Sequence, residues 1–317
     1  MSEAGHQAPL SYHARLLADV HRVDAYERAI RRLVKPGDVV LDLGCGTGIL
    51  AMLAARRGAR VHAVESMAVA GLAEELIARN GLADRVTVHR ADARTLAPIE
   101  PVDLVVSDFL GCFLVDDRML PAVAAAGRWL RAGGRFCPSQ VELMIAPVGD
   151  LALTEIDVFA DDFYGLDLRA AQRYAVGHCH RVSLAPSQLL AAAQRYHLYA
   201  PPDPAPILDE NVQFSMARAG RLRGVAGWFR AELAPGVLLS TEPGVETHWG
   251  QYLFAIPTVD VLPGDVLAVR LALGERGGDA TWQWSGSIAR GGVTLASFAL
   301  DEEEWLGKHK HIGPHHV

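Results

Sequence analysis

Gly44, Gly46 and Gly48 stand in the run Gly44-Cys45-Gly46-Thr47-Gly48, directly after the apolar segment Val39-Val40-Leu41-Asp42-Leu43 and before a helical pattern. Glycines at a strand-to-helix turn permit positive φ and let a ligand lie against the backbone. Glu65 closes the next strand-like run, Val61-His62-Ala63-Val64-Glu65, where a carboxylate can bridge both hydroxyls of a ribose. Asp92 and Ala93 follow the third run, where the edge of an adenine would lie. Three strand ends thus converge on one nucleoside. A nicotinamide dinucleotide prefers glycine where Ile49 stands, so that its pyrophosphate can sit on the helix N-terminus. The missing glycine points to a ligand without pyrophosphate. S-adenosylmethionine satisfies this, with adenosine at Glu65 and Asp92 and its amino-acid end near Asp42 and Gly44. Taken alone, the glycines also fit a tight structural turn.

The elements around these residues read as an alternation. Residues 11–34 place Leu16, Leu17, Val20, Val23, Tyr26, Ile30 and Leu33 at helical spacing until Lys35-Pro36-Gly37 stops the pattern. Strand-like runs at 39–43, 60–64, 86–88 and 104–107 then alternate with helical patterns at 51–57, 69–80 and 119–130. That order predicts βαβ units and a mainly parallel sheet. After about Pro147 the pattern changes. Short strand-like runs at 212–216, 224–233, 237–240, 252–256, 266–273, 282–288 and 293–300, separated by Gly, Pro and Asp, predict an antiparallel barrel or sandwich. Residues 155–198 read as a helix-rich stretch within it.

The first half, so built, looks like a class I methyltransferase domain. The likeness narrows at the segment from Ser107 to Leu120, which contains Asp108, Gly111, Asp117 and Met119. This segment resembles the double-acid hairpin of the protein arginine methyltransferases, whose two glutamates stand at the positions of Asp108 and Asp117. The resemblance continues through Trp129-Leu130-Arg131-Ala132-Gly133-Gly134 and Pro138. Thr247-His248-Trp249, followed by Gln251 and Phe254, is similar to the family's Thr-His-Trp loop. His13 to Arg22 resembles its cofactor-capping helix, with Tyr12 partly replacing the aromatic pair before it, and Phe163-Tyr164-Gly165-Leu166-Asp167 the start of its dimerisation arm. The similarity spans about residues 12–290.

The resemblance implies an α/β fold: a Rossmann-like class I methyltransferase sheet followed by an antiparallel β-barrel domain with a helical dimerisation arm. The expected division is a disordered 1–10, a cofactor domain at 11–147, a barrel domain at 148–305 with its arm at about 155–198, and a flexible His-rich tail at 306–317. It implies S-adenosylmethionine as cofactor and transfer of a methyl group to a guanidino nitrogen of arginine, whether free, in a peptide or in a protein. Arg22 would pair with the cofactor carboxylate, a bidentate task suited to a guanidinium; the other reading is a surface arginine. Asp108 and Asp117 would clamp the acceptor guanidinium, and Asp117 also fits a cap for the helix beginning near Arg118. Asp19 and His248 would relay the proton, while Leu16, Met119 and Trp249 would border the acceptor. Aspartate in place of both family glutamates removes a methylene from each, widening the site by about one to two bond lengths. Methyl transfer to another small metabolite, through oxygen or nitrogen, and a non-catalytic binding protein that keeps the fold are therefore the competing readings.

Composition limits the partners. The 317 residues are half hydrophobic and 21% charged, which excludes a disordered chain, and no run of about 18 apolar residues suggests a membrane span. Residues 1–148 balance 17 basic against 17 acidic side chains, whereas 149–317 carry 13 against 20, so the net −7 lies in the second half. This argues against nucleic acid and favours a cationic substrate there. The four cysteines form no disulfide framework, so a cytoplasmic location is expected, as is a homodimer. No metal site is expected: the tail histidines His309, His311, His315 and His316 read as a flexible polar end, and His178-Cys179-His180 lacks a second ligand cluster at zinc spacing.

Overall fold

The computed structural model describes residues 10–113, 119–160, 162–276 and 279–301. The single helix expected over 11–34 is two helices, α1 (Leu10–Ala18) and α2 (Val20–Leu33). The break is at Asp19, whose backbone leaves the helical region at φ −74°, ψ 84° and whose carboxylate accepts from the Arg22 N–H. A side-chain acceptor for the first free amides is what starts a helix, so an aspartate inside an apolar repeat divides it here.

The alternation that follows comprises β1 (Val39–Leu43), α3 (Ile49–Arg56), β2 (Arg60–Glu65), α4 (Ala70–Arg79), β3 (Val86–Arg90), β4 (Val102–Ser107), α5 (Met119–Ala126) and β5 (Leu130–Cys137). The strands form one sheet in the order β3-β2-β1-β4-β5, and every adjacent pair is parallel. Leu41, Leu43, Val64, Val102, Val105, Trp129 and Phe136 pack as one buried cluster. Each such side chain stabilises the fold by roughly 1.5–3 kcal/mol relative to exposure. Strand order reverses between β1 and β4, where Leu43 pairs with Ser107. Gly44 and Asp108 are the next residues along, so both lie at the topological switch point where open α/β sheets bind ligands.

The rest of the chain is mainly antiparallel: β6 (Gln140–Gly149), α6 (Thr154–Asp157), β7 (Asp162–Phe163), β8 (Leu166–Asp167), α7 (Arg169–Val176), β9 (Cys179–Val182), β10 (Gln194–Tyr199), β11 (Asp209–Ser215), β12 (Gly220–Ala234), β13 (Val237–Ser240), β14 (Gln251–Val261), β15 (Val266–Arg276), β16 (Asp279–Arg290) and β17 (Val293–Asp301). Two compact units result, one of Met1–Met144, Arg195–Pro206 and Trp228–Gln251, the other of Ile145–Gln194, Ile207–Gly227 and Tyr252–Val317. The division read near residue 147 is linear, whereas these units exchange segments because β6 and β12 each continue from one unit into the other.

In the first unit β12 and β13 form a hairpin from Arg230↔Ser240 to Ala234↔Val237, and the Ser139 N–H donates to the Glu232 carbonyl. In the second unit β11-β15-β16-β17 is an antiparallel meander, and β12 pairs with β14 from Gly220↔Val261 to Gly227↔Tyr252. Trp282 and Trp284 are buried there, and the Trp284 indole donates to the Ala255 carbonyl. The stretch expected to be helix-rich is mixed. Among the described residues α6 and α7 are its α-helices, with the β7–β8 hairpin between them, β9 and β10 after them, and a short 3-10 turn at Pro186–Gln188. Gly177 is the C-cap that ends α7, Gly165 turns the chain between β7 and β8, and Pro186 opens the short 3-10 turn.

Candidate active site

A cavity of about 470 Å³ lies within the first unit, against the carboxyl ends of β1, β2 and β3 and under α1. That size is within the range of pockets that bury a whole small ligand. Gly44 and Gly46 form part of its wall with φ of +71° and +53°, and Gly48, at +79°, stands behind them as the residue before α3. A Cβ on Gly44 would lie 2.2 Å from the Phe109 ring, so the turn is closed to any side chain at that point. Cys45 is buried, and burial pushes its thiol far above the ordinary value, so it packs under the turn and is no nucleophile.

Glu65 lines the cavity at the end of β2 and is anchored by two backbone amides, Gly46 N–H to Oε2 at 3.0 Å and Met67 N–H to Oε1 at 2.7 Å. A carboxylate has about four lone-pair sites, so each oxygen keeps one for a further donor. Two free positions on one fixed carboxylate match the paired hydroxyls of a ribose. Asp92, Ala93 and Arg94 line the wall after β3. Asp42 departs from expectation. It is fully buried, lies behind the wall and accepts from the Ala51 N–H at 2.8 Å, so it braces α3 against β1. Burial raises its carboxyl to about 7, aided by the charges of Asp108 and Glu65 and opposed by the Ala51 N–H and Arg22.

At the switch point the buried Arg22 donates Nε to Asp108 Oδ2 at 2.6 Å and Nη1 to the Leu16 carbonyl at 2.8 Å. Nε is thereby committed to Asp108, while Nη2 and the second Nη1 hydrogen are left for a cofactor carboxylate. Asp108 Oδ1 is buried and, among the described residues, meets no hydrogen-bond donor. Burial lifts the Asp108 carboxyl above the usual range, although the Arg22 guanidinium acts against it. Leu16, Met119 and Asp108 all face the cavity. The second expected clamp residue, Asp117, lies outside the described residues, as do Asp116, Arg118 and the tail histidines.

Asp19 and His248 meet, as the proton-relay expectation requires. The His248 backbone N–H and ring Nδ1 both lie 2.8 Å from Asp19 Oδ2. Burial alone would raise the Asp19 carboxyl, but the His248 ring, its backbone amide and the Arg22 amide together hold it below the usual value. An ionised Asp19 only accepts, so Nδ1 of His248 carries the proton and Nε2 is its open nitrogen. Trp249 departs from expectation: it is buried edge-on against Phe229 at 5.1 Å, stacks near His248 and is absent from the cavity wall.

Among the wall residues that escaped the sequence reading are His13, Phe109 and Arg94. Tyr12, His13, Leu16 and Leu17 share one helical face, spacing that could have shown His13 beside Leu16. Phe109 is adjacent to Asp108 and could have been drawn in with it. Arg94 carried no signal of its own.

Residues 40–134 match the methyltransferase domain family. Protein arginine N-methyltransferase 6 of Xenopus tropicalis is 33% identical over 264 residues, covering 77% of each chain. Protein arginine N-methyltransferase PRMT10 of Oryza sativa subsp. japonica is 31% identical over 307 residues, covering 83% of this chain and 80% of the relative. The chain belongs to the protein arginine methyltransferase family. Among solved structures it is similar to Arabidopsis thaliana protein arginine methyltransferase 10, with TM-score 0.80 and 25% identity over 93% of this chain and 98% of that one. Its fold is also that of the Trypanosoma brucei PRMT1 enzyme-prozyme heterotetrameric complex with AdoHcy, with TM-score 0.85 and 22% identity over 92% of this chain and 98% of that one. The sequence resemblance thus holds, and the protein is an S-adenosylmethionine-dependent arginine N-methyltransferase. The two free positions on Glu65 and the Nη2 of Arg22 fit that cofactor's ribose and carboxylate. Among the described residues no helix is long and apolar enough to cross a membrane.

Proposed function

We propose that Asp108 and Asp117 together grip the guanidinium of an arginine and that this grip, with cofactor held by Glu65 and Arg22, constitutes the catalytic site. The observation that supports it most is the state of Asp108. One oxygen is fixed by Arg22 and the other is buried, without a partner among the described residues, and beside the cavity. A buried carboxylate oxygen without a donor is costly, and an N–H of the acceptor would satisfy it. The bound cofactor supplies an electrophilic methyl group on a sulfonium. A guanidinium with a pKa above about 12 is a poor nucleophile, so positioning and charge placement must do most of the work. Asp108 draws positive charge to the nitrogen it binds, leaving electron density on the nitrogen that faces the methyl group. Arg22 fixes the rotamer of Asp108, and Asp19 fixes Arg22 through α2 and His248 through its ring. The proton lost from the acceptor goes to the His248 Nε2 side of that pair. The four free thiols support a reducing, cytoplasmic setting, and the exposed β7–β8 hairpin supports a homodimer.

The test is a labelled-methyl transfer assay with free arginine, arginine peptides, histones, and small phenols and amines. Label in an arginine guanidino group is expected, and Asp117→Ala is expected to abolish turnover while leaving cofactor binding within about twofold. Transfer only to a phenol or simple amine would sink the guanidino grip, and full turnover by the Asp117 variant would remove that residue from it.

A further inference from the structure

Asp108 is held at two points by one helix. Arg22 and Tyr26 stand four residues apart on α2, so their side chains leave the same face. Arg22 grips the Asp108 carboxylate, as described above. The Tyr26 hydroxyl donates at 2.8 Å to the Ser107 carbonyl, which belongs to the peptide bond that leads into Asp108. Beyond that residue the Phe109 N–H donates to Ser107 Oγ at 3.2 Å and the Leu110 N–H to the Asp108 carbonyl at 2.9 Å. The exit of the turn is fixed from within, and its entry is fixed by Tyr26.

Packing does not explain the phenol. Tyr26 is completely buried, and a phenylalanine would fill the same space without the cost of desolvating a hydroxyl. Burial and the charge of Asp108 push that hydroxyl well above its usual value, so it stays a donor. In return, burial raises the Asp108 carboxyl while Arg22, His248 and the Tyr26 hydroxyl oppose the rise. The other titratable groups that feel this charge are Asp42 on β1 and Cys137 on β5. Arg22 alone would let the carboxylate swing about a single contact. A second hold on the backbone removes the swing, so Oδ1, which has no partner among the described residues, keeps one direction.

We propose that Tyr26 is a positioning residue of the methyl transfer: by holding the peptide that leads into Asp108, its hydroxyl keeps Oδ1 turned toward the acceptor guanidinium. This inference rests on the reading of Asp108 as an acceptor clamp. It adds a residue that stands outside the cavity wall and acts through another side chain.

The experiment compares the full chain with Tyr26→Phe and Asp108→Asn, using an arginine peptide with saturating S-adenosylmethionine, and calorimetric titration with S-adenosylhomocysteine. Tyr26→Phe is expected to lower kcat about tenfold while S-adenosylhomocysteine binds within about twofold of wild type, because a misplaced clamp costs rate and not cofactor affinity. The acid limb of kcat/KM for the peptide is expected to move to higher pH, since a group opposing the rise of the Asp108 carboxyl is gone. Saturating cofactor keeps the Asp42 titration out of that limb. Lost stability alone would lower the rate in proportion at every pH and leave the limb in place, and thermal unfolding gives the folded fraction. Unchanged kcat in Tyr26→Phe overturns the proposal, as does a loss of rate with an unmoved acid limb or with an equal loss of cofactor affinity. Full turnover by Asp108→Asn overturns the clamp reading itself, and the proposal with it. Lost turnover in Asp108→Asn beside wild-type behaviour in Tyr26→Phe overturns the positioning role alone.

Discussion

Asp19, Asp42, Glu65 and Asp108 are four acids at or near the wall of one cavity, with Arg22 as the buried guanidinium among them. Asp42 makes this imbalance measurable. Its carboxyl, raised to about 7 chiefly by burial, is half protonated near neutrality in the free protein. A ligand with a sulfonium and an ammonium favours the ionised form. Cofactor affinity is therefore expected to fall as pH drops below about 7, by up to tenfold per unit, with proton release on binding that calorimetry in buffers of different ionisation heat would detect. Stability without cofactor follows the opposite sign. The unfolded state ionises near 4 and the folded state near 7, so stability declines as pH rises across that window and is level above it. Asp42→Asn should flatten both profiles. A second expectation is that Glu65→Ala weakens cofactor binding at least tenfold, because it removes both ribose acceptors, and also costs about 1–3 kcal/mol of stability, because the Gly46 and Met67 amides lose their acceptor. Much of this was legible from residue type: a glycine-rich turn followed by an acid at the next strand end requires only local sequence, and Arg22 and Asp108 came with the family motifs. The pairing of Asp92 with Arg94 and the burial of Trp249 were not legible, because both depend on rotamers chosen by neighbours in space.

The division of the N-terminal helix is the element on which the site depends most. Asp19 caps α2 through the Arg22 amide and holds His248 from the other end of the first unit's sequence, so one carboxylate sets both the start of a helix and the place of a loop. Asp19→Ala should lose a cap, worth about 1 kcal/mol, and the hydrogen bonds that its buried carboxylate accepts from His248, worth about 1.5–3 kcal/mol. Asp19→Asn should keep the cap and lose only the pair. Urea unfolding of the two variants at pH 7 would separate the contributions, and equal destabilisation would show that the His248 pair alone matters and the cap contributes nothing. The wild-type carboxyl lies below its usual value, so its contribution is present above the unfolded value near 4 and is lost as pH falls further. Similar close fitting fixes the Gly44 turn. Gly44→Ala places a methyl group inside the Phe109 ring at a φ of +71°, and a Phe109→Ala second change should relieve the clash but not the backbone strain. At this scale the parallel sheet was readable, because strand and helix periods differ and alternate over 39–130. The arm was not, since short apolar runs near Gly165, Gly177 and Pro186 suit helix and strand equally well.

For the whole molecule the open question of assembly centres on the hairpin tip. Phe163, Tyr164 and Leu166 are 44%, 91% and 61% exposed, and Phe163 and Tyr164 pack edge to face with ring centroids 4.9 Å apart. Tyr164 and Gly165 both have positive φ, 55° and 82°, which is the twist that joins two strands through a two-residue loop. A tyrosine held there is less favourable than glycine or asparagine would be. Large apolar side chains on a strained, exposed turn of a short hairpin contribute little to their own unit, so their physical rationale is contact with another chain, and in the homodimer proposed here that chain is a second copy. Aromatic residues at the centre of such contacts commonly carry 2 kcal/mol or more, a factor of about 30 in dissociation constant. Tyr164→Asp should therefore shift the protein from dimer to monomer at micromolar concentration in light scattering, with an unchanged melting temperature for the isolated subunit. Tyr164→Asn is the control for the turn itself: it suits positive φ yet lacks the ring, so it should also weaken the dimer while stabilising the hairpin. If the wild-type chain scatters as a monomer and still methylates arginine, the hairpin has no such partner and the site is complete in one chain. If the dimer persists in both variants, association uses another surface.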